Sequence, residues 1–340
     1  MHISRASFLL AILVLAATYL FGAYSDRHEL FPLPAFRALK TRAGWKAPKV
    51  PDRYTVDQVG RLASDDEKKA VVCPQQTGRT AVLLLLGQSN AGNHAGQRFH
   101  SEHGETVVNF YGGRCYVAAS PLLGSDGTSG EYWTQLGNLL LDRGSFGQVV
   151  LAPMAVTGSE VSRWAPGGDL NGTMIDTTSQ LQRRGYRVTH VLWVQGEIDY
   201  VKGTKEKDYR DRFLSLVSSL RSHGVAAPVY VAIATKCLGA SNGGTRFHSA
   251  NNPVARAQLA LPDPAENLRS GVNSDALLGD LDRYDDCHFS SSGEPTHPLA
   301  AVVNERSVVE MTGQRPATHV PLRLQHQYIN AGRRQQSRRV

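Results

Sequence analysis

The chain of 340 residues carries 37 Lys and Arg against 30 Asp and Glu, a formal charge of +7, with 41% hydrophobic and 20% charged residues. That balance excludes a disordered or collagen-like chain and provides for a folded core in one or two domains. The basic excess is confined to the ends: residues 1–50 carry +5 and residues 312–340 carry +6, which leaves −4 on 51–311. A nucleic-acid-binding body would need positive charge on its folded part, so that class is set aside.

Residues 6–25 hold no charge, and 8–21 are almost continuously apolar. At about 1.5 Å per residue this run approaches the thickness of bilayer hydrocarbon, which predicts a membrane anchor or a long signal peptide over 1–25. Its length favours an uncleaved anchor with the lipid bilayer as partner; small residues at Ala23 and Ser25 would permit cleavage and secretion. The flanking charges, Arg5 before and Arg27, Arg37, Lys40 and Arg42 after, favour a cytoplasmic body, but long domains translocate largely regardless of them. The body is expected outside the cytoplasm, in the periplasm if the source is bacterial. Residues 26–78, rich in Pro and charge, read as a stalk with at most one short helix. Residues 312–340 read as a basic disordered tail.

Between these flanks, Val- and Leu-rich runs at 81–86, 106–111, 148–155, 188–194 and 228–235 lack polar alternation, as expected of strands buried on both faces of a parallel sheet. Helical patterns cover 132–143, 177–184, 208–223, 253–261 and 295–311. The alternation predicts a doubly wound three-layer α/β/α sandwich around a mainly parallel five-stranded sheet over 79–311. Ligands in such folds meet the loops at the carboxyl ends of the strands.

Four polar blocks fall at such ends. The first strand runs into Gly87-Gln88-Ser89-Asn90, where a serine at a strand-to-helix turn can expose its hydroxyl and offer its N–H to a developing anion. The third ends in Thr157-Gly158-Ser159-Glu160-Val161-Ser162-Arg163-Trp164, and Gly158 lets a backbone N–H approach a ligand. The fourth ends in Trp193-Val194-Gln195-Gly196-Glu197-Ile198-Asp199, and Gln195 has an amide to donate. Near the C-terminus, Asp285-Asp286-Cys287-His288 supplies a base in His288 and an orienting carboxylate three residues earlier in Asp285, with Asp286 the less favoured orienter.

Taken together, the four blocks resemble the SGNH hydrolase superfamily, and within it the sialate O-acetylesterase-like branch (SASA, similar to carbohydrate esterase family 6). The resemblance implies Ser89 as nucleophile, His288 as base and Asp285 as its orienter. It implies an oxyanion hole from the Ser89 and Gly158 N–H groups and the Gln195 side chain. Gln88, Asn90, Arg163, Trp164 and Glu197 would support the site or touch substrate, with Glu197 tied in through Arg163. The chain departs from the family pattern at Thr157, where glycine is usual, and at Val194, where histidine is usual.

Cys237 ends the fifth strand and Cys287 precedes His288, which predicts a disulfide on one rim of the sheet, with Cys73–Cys115 as a second; free buried thiols are the alternative. His94, His100 and His103 fit no zinc spacing and read as loop histidines. No G-x-G-x-x-G opens a helix and no Walker A sequence occurs, so neither metal nor cofactor is implied. The expected activity is a serine esterase removing O-acetyl groups from an extracytoplasmic carbohydrate through an acetyl-serine intermediate. An O-acetyltransferase with the same triad, or a non-catalytic glycan-binding module, are the alternatives.

Overall fold

The structure is a computed structural model that describes residues 53–237, 252–277, 282–285 and 287–290, together with Val14, Ala17, Thr18 and Phe21. The chain divides into two units, Met1–Arg53 and Tyr54–Val340. In the first, the four described residues are helical, and Thr18 Oγ1 donates to the Val14 carbonyl at 2.8 Å. Most of the apolar segment expected to anchor the chain lies outside the described residues, as do the 295–311 helix and the 312–340 tail. Among the described residues no helix is long and apolar enough to cross a membrane.

In the second unit the strands are β1 (Tyr54–Val56), β2 (Leu62–Asp65), β3 (Ala70–Val71), β4 (Thr80–Gly87), β5 (Val107–Tyr111), β6 (Arg114–Val117), β7 (Gln148–Ala155), β8 (His190–Val194), β9 (Val229–Ile233) and β10 (Leu268–Asn273). The helices are α1 (Trp133–Asp142), α2 (Asp169–Arg183), α3 (Glu197–Val201), α4 (Glu206–Ser222) and α5 (Pro253–Ala260). The main sheet runs β10-β9-β8-β4-β7-β5-β6-β3. It is parallel from β10 to β5, and β6 and β3 join antiparallel at the far edge.

The central strand explains the layering. β4 is buried along its whole length, and successive side chains of a strand point to opposite faces. Val82, Leu84 and Leu86 join one core with Met174 of α2, Phe213 and Leu216 of α4 and Val254 of α5. Ala81, Leu83 and Leu85 join the other with Trp133, Leu136 and Leu140 of α1. The three-layer α/β/α sandwich expected from the alternation is therefore present.

The sheet is wider than the five strands read from apolar runs. All five form, but β10 was missed because it is an edge strand of sequence LRSGVN, partly exposed and interrupted by Gly271. The short β6 and β3 also fall below what periodicity detects. Helix α2 starts eight residues before the pattern at 177, since Asn171, Gly172 and Thr173 are weak helix formers that obscure its start.

The larger correction concerns the stalk. Residues 54–78 are part of the folded unit. β1 and β2 pair as a hairpin, and buried Leu62 exchanges backbone hydrogen bonds with Gly124 and Ser125. Arg61 donates to Asp57 and Thr177, β3 pairs with β6, and Cys73 is bonded to Cys115. The Pro and charge content that suggests a stalk describes short segments that satisfy their polar groups on the domain surface. The folded unit thus begins near residue 54. A chain starting at residue 79 should unfold about 4–16 °C below one starting at residue 53, given ~2–4 kcal/mol for the lost disulfide and ~2–4 °C per kcal/mol at this size. Thermal denaturation followed by circular dichroism checks this, and equal midpoints would return 54–78 to a linker.

Candidate active site

The ends of β4, β7 and β8 lie level, with Gly87 paired to both Ala155 and Val194. Gly87 sits at φ +148°, and a Cβ there would collide with the Val194 carbonyl, so only glycine lets β4 turn this close to β8. Gln88 N–H donates to the Val194 carbonyl at 3.1 Å, and Gln88 Oε1 accepts from the Gly196 and Ile198 N–H groups at 3.3 Å each.

Ser89 opens a single 3-10 turn, Ser89–Ala91. The turn is held from several sides. Tyr132 donates its hydroxyl to the Asn90 carbonyl at 2.6 Å, and Trp133 Nε1 donates to the Ala91 carbonyl at 2.8 Å. Asn90 Nδ2 donates to Glu197 Oε1 at 2.8 Å and to the Cys287 carbonyl at 3.2 Å. Ser89 is 3% exposed, and among the described residues neither its hydroxyl nor its N–H makes a hydrogen bond.

The Asn90–Cys287 contact brings the C-terminal loop beside the serine turn, and Gly96 N–H reinforces it by donating to the Phe289 carbonyl at 2.8 Å. In that loop Asp285 Oδ2 accepts from His288 Nδ1 at 2.6 Å, while Oδ1 accepts from the His288 and Cys287 N–H groups at 2.6 and 3.0 Å. Burial pushes the Asp285 carboxyl up, but the hydrogen bonds from His288 and Cys287 and the charge of the imidazole outweigh it. They hold the group below the usual carboxylate range. With Nδ1–H committed to Asp285, the lone pair of His288 sits on Nε2, which is buried and without a partner among the described residues. Asp286 lies outside the described residues.

Two further ties position this loop. Cys287 is bonded to Cys237 at the end of β9, and with Cys73–Cys115 this realises both expected pairings and leaves no free cysteine among the described residues. Arg283, 5% exposed, donates to the carbonyls of Lys236, Ser274, Leu277 and Cys287, and its guanidinium lies 4.7 Å from the Phe289 ring centre. It acts as a buried clamp whose acceptors are backbone carbonyls.

At the end of β7, Gly158 has φ +62°, is exposed, and donates its N–H to no acceptor among the described residues. It suits an oxyanion donor. Three other expectations change. Gln195 is fully buried, and its Nε2 donates to Asp199 Oδ2 at 2.5 Å and to the Ser159 carbonyl at 3.0 Å. The buried Asp199 carboxylate needs those donors, so the Gln195 amide braces the β8 end and is not offered to an oxyanion. Arg163 pairs with Asp169, at 2.9 and 2.6 Å, and does not reach Glu197 among the described residues. Trp164 is fully buried, donating Nε1 to Ser159 Oγ and packing edge-on to Trp193, so it faces the core and no substrate.

The structure adds residues that the sequence blocks do not mark. His94 stacks on His288 with ring centres 5.2 Å apart. Its Nε2 lies 2.8 Å from Thr157 Oγ1 and 3.2 Å from Asp126 Oδ1. Tyr284 also stacks near His288, at 6.0 Å, and donates its hydroxyl to the His94 carbonyl. The proximity of His94 to Ser89 in sequence was the only signal; Asp126 and Tyr284 carried none.

A family described as carbohydrate esterase, sialic acid-specific acetylesterase, matches residues 79–297. No curated protein matches the chain. Among solved structures, a protein of Arabidopsis thaliana is similar with a TM-score of 0.53 at 18% identity, covering 70% of this chain and 99% of its own; this likeness concerns the fold. A carbohydrate acetylesterase from Xanthomonas citri aligns with a TM-score of 0.43 at 15% identity, covering 69% of this chain and 57% of its own.

Glu197, 1% exposed, has one oxygen bonded to Asn90 and the other buried without a partner among the described residues. Burial raises its pKa to about 7 against the lowering effect of the Asn90 amide. In the unfolded chain the group ionises near 4.5. Between these values the folded state binds the extra proton, so this residue's contribution to stability falls as pH rises from about 4.5 to 7, by roughly 3 kcal/mol. Glu197→Gln should remove that dependence. Urea unfolding at pH 5 and pH 8 should show the variant gaining on the wild type at the higher pH, and a gap that does not change with pH would refute the buried acid.

Proposed function

The chain belongs to the carbohydrate esterase family of sialic acid-specific acetylesterases and is a carboxylic ester hydrolase; on that premise we propose that it removes O-acetyl groups from a carbohydrate through an acetyl-Ser89 intermediate. The observation that carries the reading is the buried, unpartnered Nε2 of an Asp285-held His288, set beside the serine turn by the Asn90–Cys287 contact.

Ser89 Oγ attacks the ester carbonyl as His288 Nε2 takes its proton, and Asp285 stabilises the imidazolium that forms. The Ser89 and Gly158 N–H groups, which have no other acceptor among the described residues, receive the developing oxyanion. Collapse breaks the bond to the sugar oxygen, which leaves with the proton from His288. Water then attacks the acetyl carbon as His288 Nε2 takes its proton, and collapse breaks the bond to Ser89 Oγ, which recovers that proton from His288 as acetate leaves. Ser89 Oγ and His288 Nε2 are not hydrogen-bonded in the unliganded chain; such contacts commonly tighten only when substrate is bound.

The site is read as extracytoplasmic. All four cysteines are paired, which suits an oxidising compartment, and the uncharged run at 6–25 suits an anchor or a signal segment.

Ser89→Ala should lower hydrolysis of an aryl acetate by at least about 10³-fold with the thermal midpoint unchanged, and wild-type protein quenched in turnover should carry an acetyl group on Ser89 by mass spectrometry. Hydrolysis that survives in Ser89→Ala would defeat the assignment. Acetylated acceptor appearing in place of acetate when a glycan is supplied would reassign the chain as a transferase. Labelling of Ser89 by a membrane-impermeant serine-directed probe on intact cells tests the compartment.

A further inference from the structure

His94 is the one histidine of the serine loop whose ring meets the catalytic imidazole, and it belongs to neither the nucleophile turn nor the base loop. Its ring is offset-stacked on His288, 5.2 Å between centres with 24° between planes. Its Nε2 is shared between Thr157 Oγ1 at 2.8 Å and Asp126 Oδ1 at 3.2 Å. A carboxylate can only accept, so this neighbour places a proton on Nε2. The other Asp126 oxygen accepts from the Thr157 N–H at 2.5 Å. Asp126 is itself fixed, its N–H donating to the Ala155 carbonyl at 3.0 Å and its carbonyl accepting from Asn93 N–H at 2.9 Å. Thr157 immediately precedes Gly158, whose N–H is the proposed oxyanion donor.

These contacts form a closed chain from the base to the oxyanion loop. The Asp285 bond fixes one end of the His288 imidazole but leaves tilt of the ring about that bond free, and the flat face of His94 restrains the tilt. The Thr157 hydroxyl locks His94, a contact that glycine at this position would lack. Asp126 holds Thr157 by its backbone and His94 by its side chain together.

We propose that His94 is a positioning residue for ester hydrolysis: through Thr157 and Asp126 it sets the His288 imidazole and the Gly158 N–H relative to one another. The inference rests on the roles proposed above for Ser89, His288 and Gly158. His94 neither attacks nor exchanges a proton with substrate; it acts on the alignment of two groups that do. Misplacing reacting groups by a fraction of an ångström is costly in turnover and leaves ground-state binding intact.

The test compares kcat and KM for an aryl acetate in Thr157→Val, Thr157→Ser, His94→Phe, the Thr157→Val/His94→Phe double variant, and Ser89→Ala. Thr157 is exposed, so Thr157→Val should fold even if a change at His94 does not, and thermal midpoints are recorded for each. Thr157→Val and His94→Phe should each lower kcat roughly tenfold with KM within about twofold of wild type. The double variant should be no worse than about the poorer single, because both remove one shared contact. Thr157→Ser, which keeps the hydroxyl, should restore kcat. Wild-type kcat in both Thr157→Val and His94→Phe overturns the proposal, as does an effect confined to KM, which would make His94 a substrate contact. Multiplicative losses in the double variant also overturn it. Turnover persisting in Ser89→Ala overturns the underlying assignment together with this proposal; its loss there, with Thr157→Val and His94→Phe unaffected, overturns the proposal alone.

Discussion

One side-chain amide joins the pieces of this site. Asn90 Nδ2 spends its two hydrogens on Glu197 at the start of α3 and on the Cys287 carbonyl, while the Asn90 backbone carbonyl accepts from the hydroxyl of Tyr132, which immediately precedes α1. The serine turn, the end of β8, the C-terminal loop and α1 therefore meet at one buried residue. An amide suits the task because it offers two donors in a fixed plane, so both partners are positioned by the same rigid group. The Asp285–His288 pair forms locally, since it spans only three residues, and the Cys287 contact ties its loop directly to the serine turn, alongside the Gly96–Phe289 hydrogen bond and the Cys237–Cys287 disulfide.

That division between local and non-local constraint decides what the sequence could reveal. The buried strands were legible because a strand covered on both faces must be apolar throughout, and β4 is. The Asp285–His288 pairing was legible because the two residues sit in one short block whose three-residue spacing carries its geometry. The role expected of Gln195 changed for a reason only partly local. Its amide is claimed by Asp199, four residues on in the same block, and by the carbonyl of Ser159 in the loop after β7, a contact that no local pattern displays. The pairing of His94 with Asp126 was hidden by distance in the chain, since 32 residues separate them and the contact depends on how the β4 and β7 ends lie together.

The segment before the sheet shows how composition misleads at a domain edge. Residues 54–78 are polar because they cover the surface, yet Leu62 is buried and is bonded through its backbone to Gly124 and Ser125. Those residues directly precede Asp126. A stretch that looks like a tether thus supports the loop from which a carboxylate reaches His94 and Thr157. The charge left on the ends of the chain says nothing about substrate, whereas this contact connects the N-terminal hairpin to the rim of the site.

Two carboxyl groups flank the catalytic elements and are treated in opposite ways. Asp285 is partly exposed and accepts three hydrogen bonds from the His288 loop, so it stays ionised and can stabilise positive charge on the imidazole. Glu197 is buried, has one bonded oxygen and one without a partner, and is pushed toward neutrality. Were both ionised, the second negative charge would lie close behind the serine turn, where the proposed mechanism places an oxyanion. A protonated Glu197 avoids that repulsion while still accepting the Asn90 hydrogen bond. The environment that weakens Glu197 as an acid therefore serves the same end as the one that strengthens Asp285: negative charge is kept beside the imidazole and away from the buried side of the serine turn.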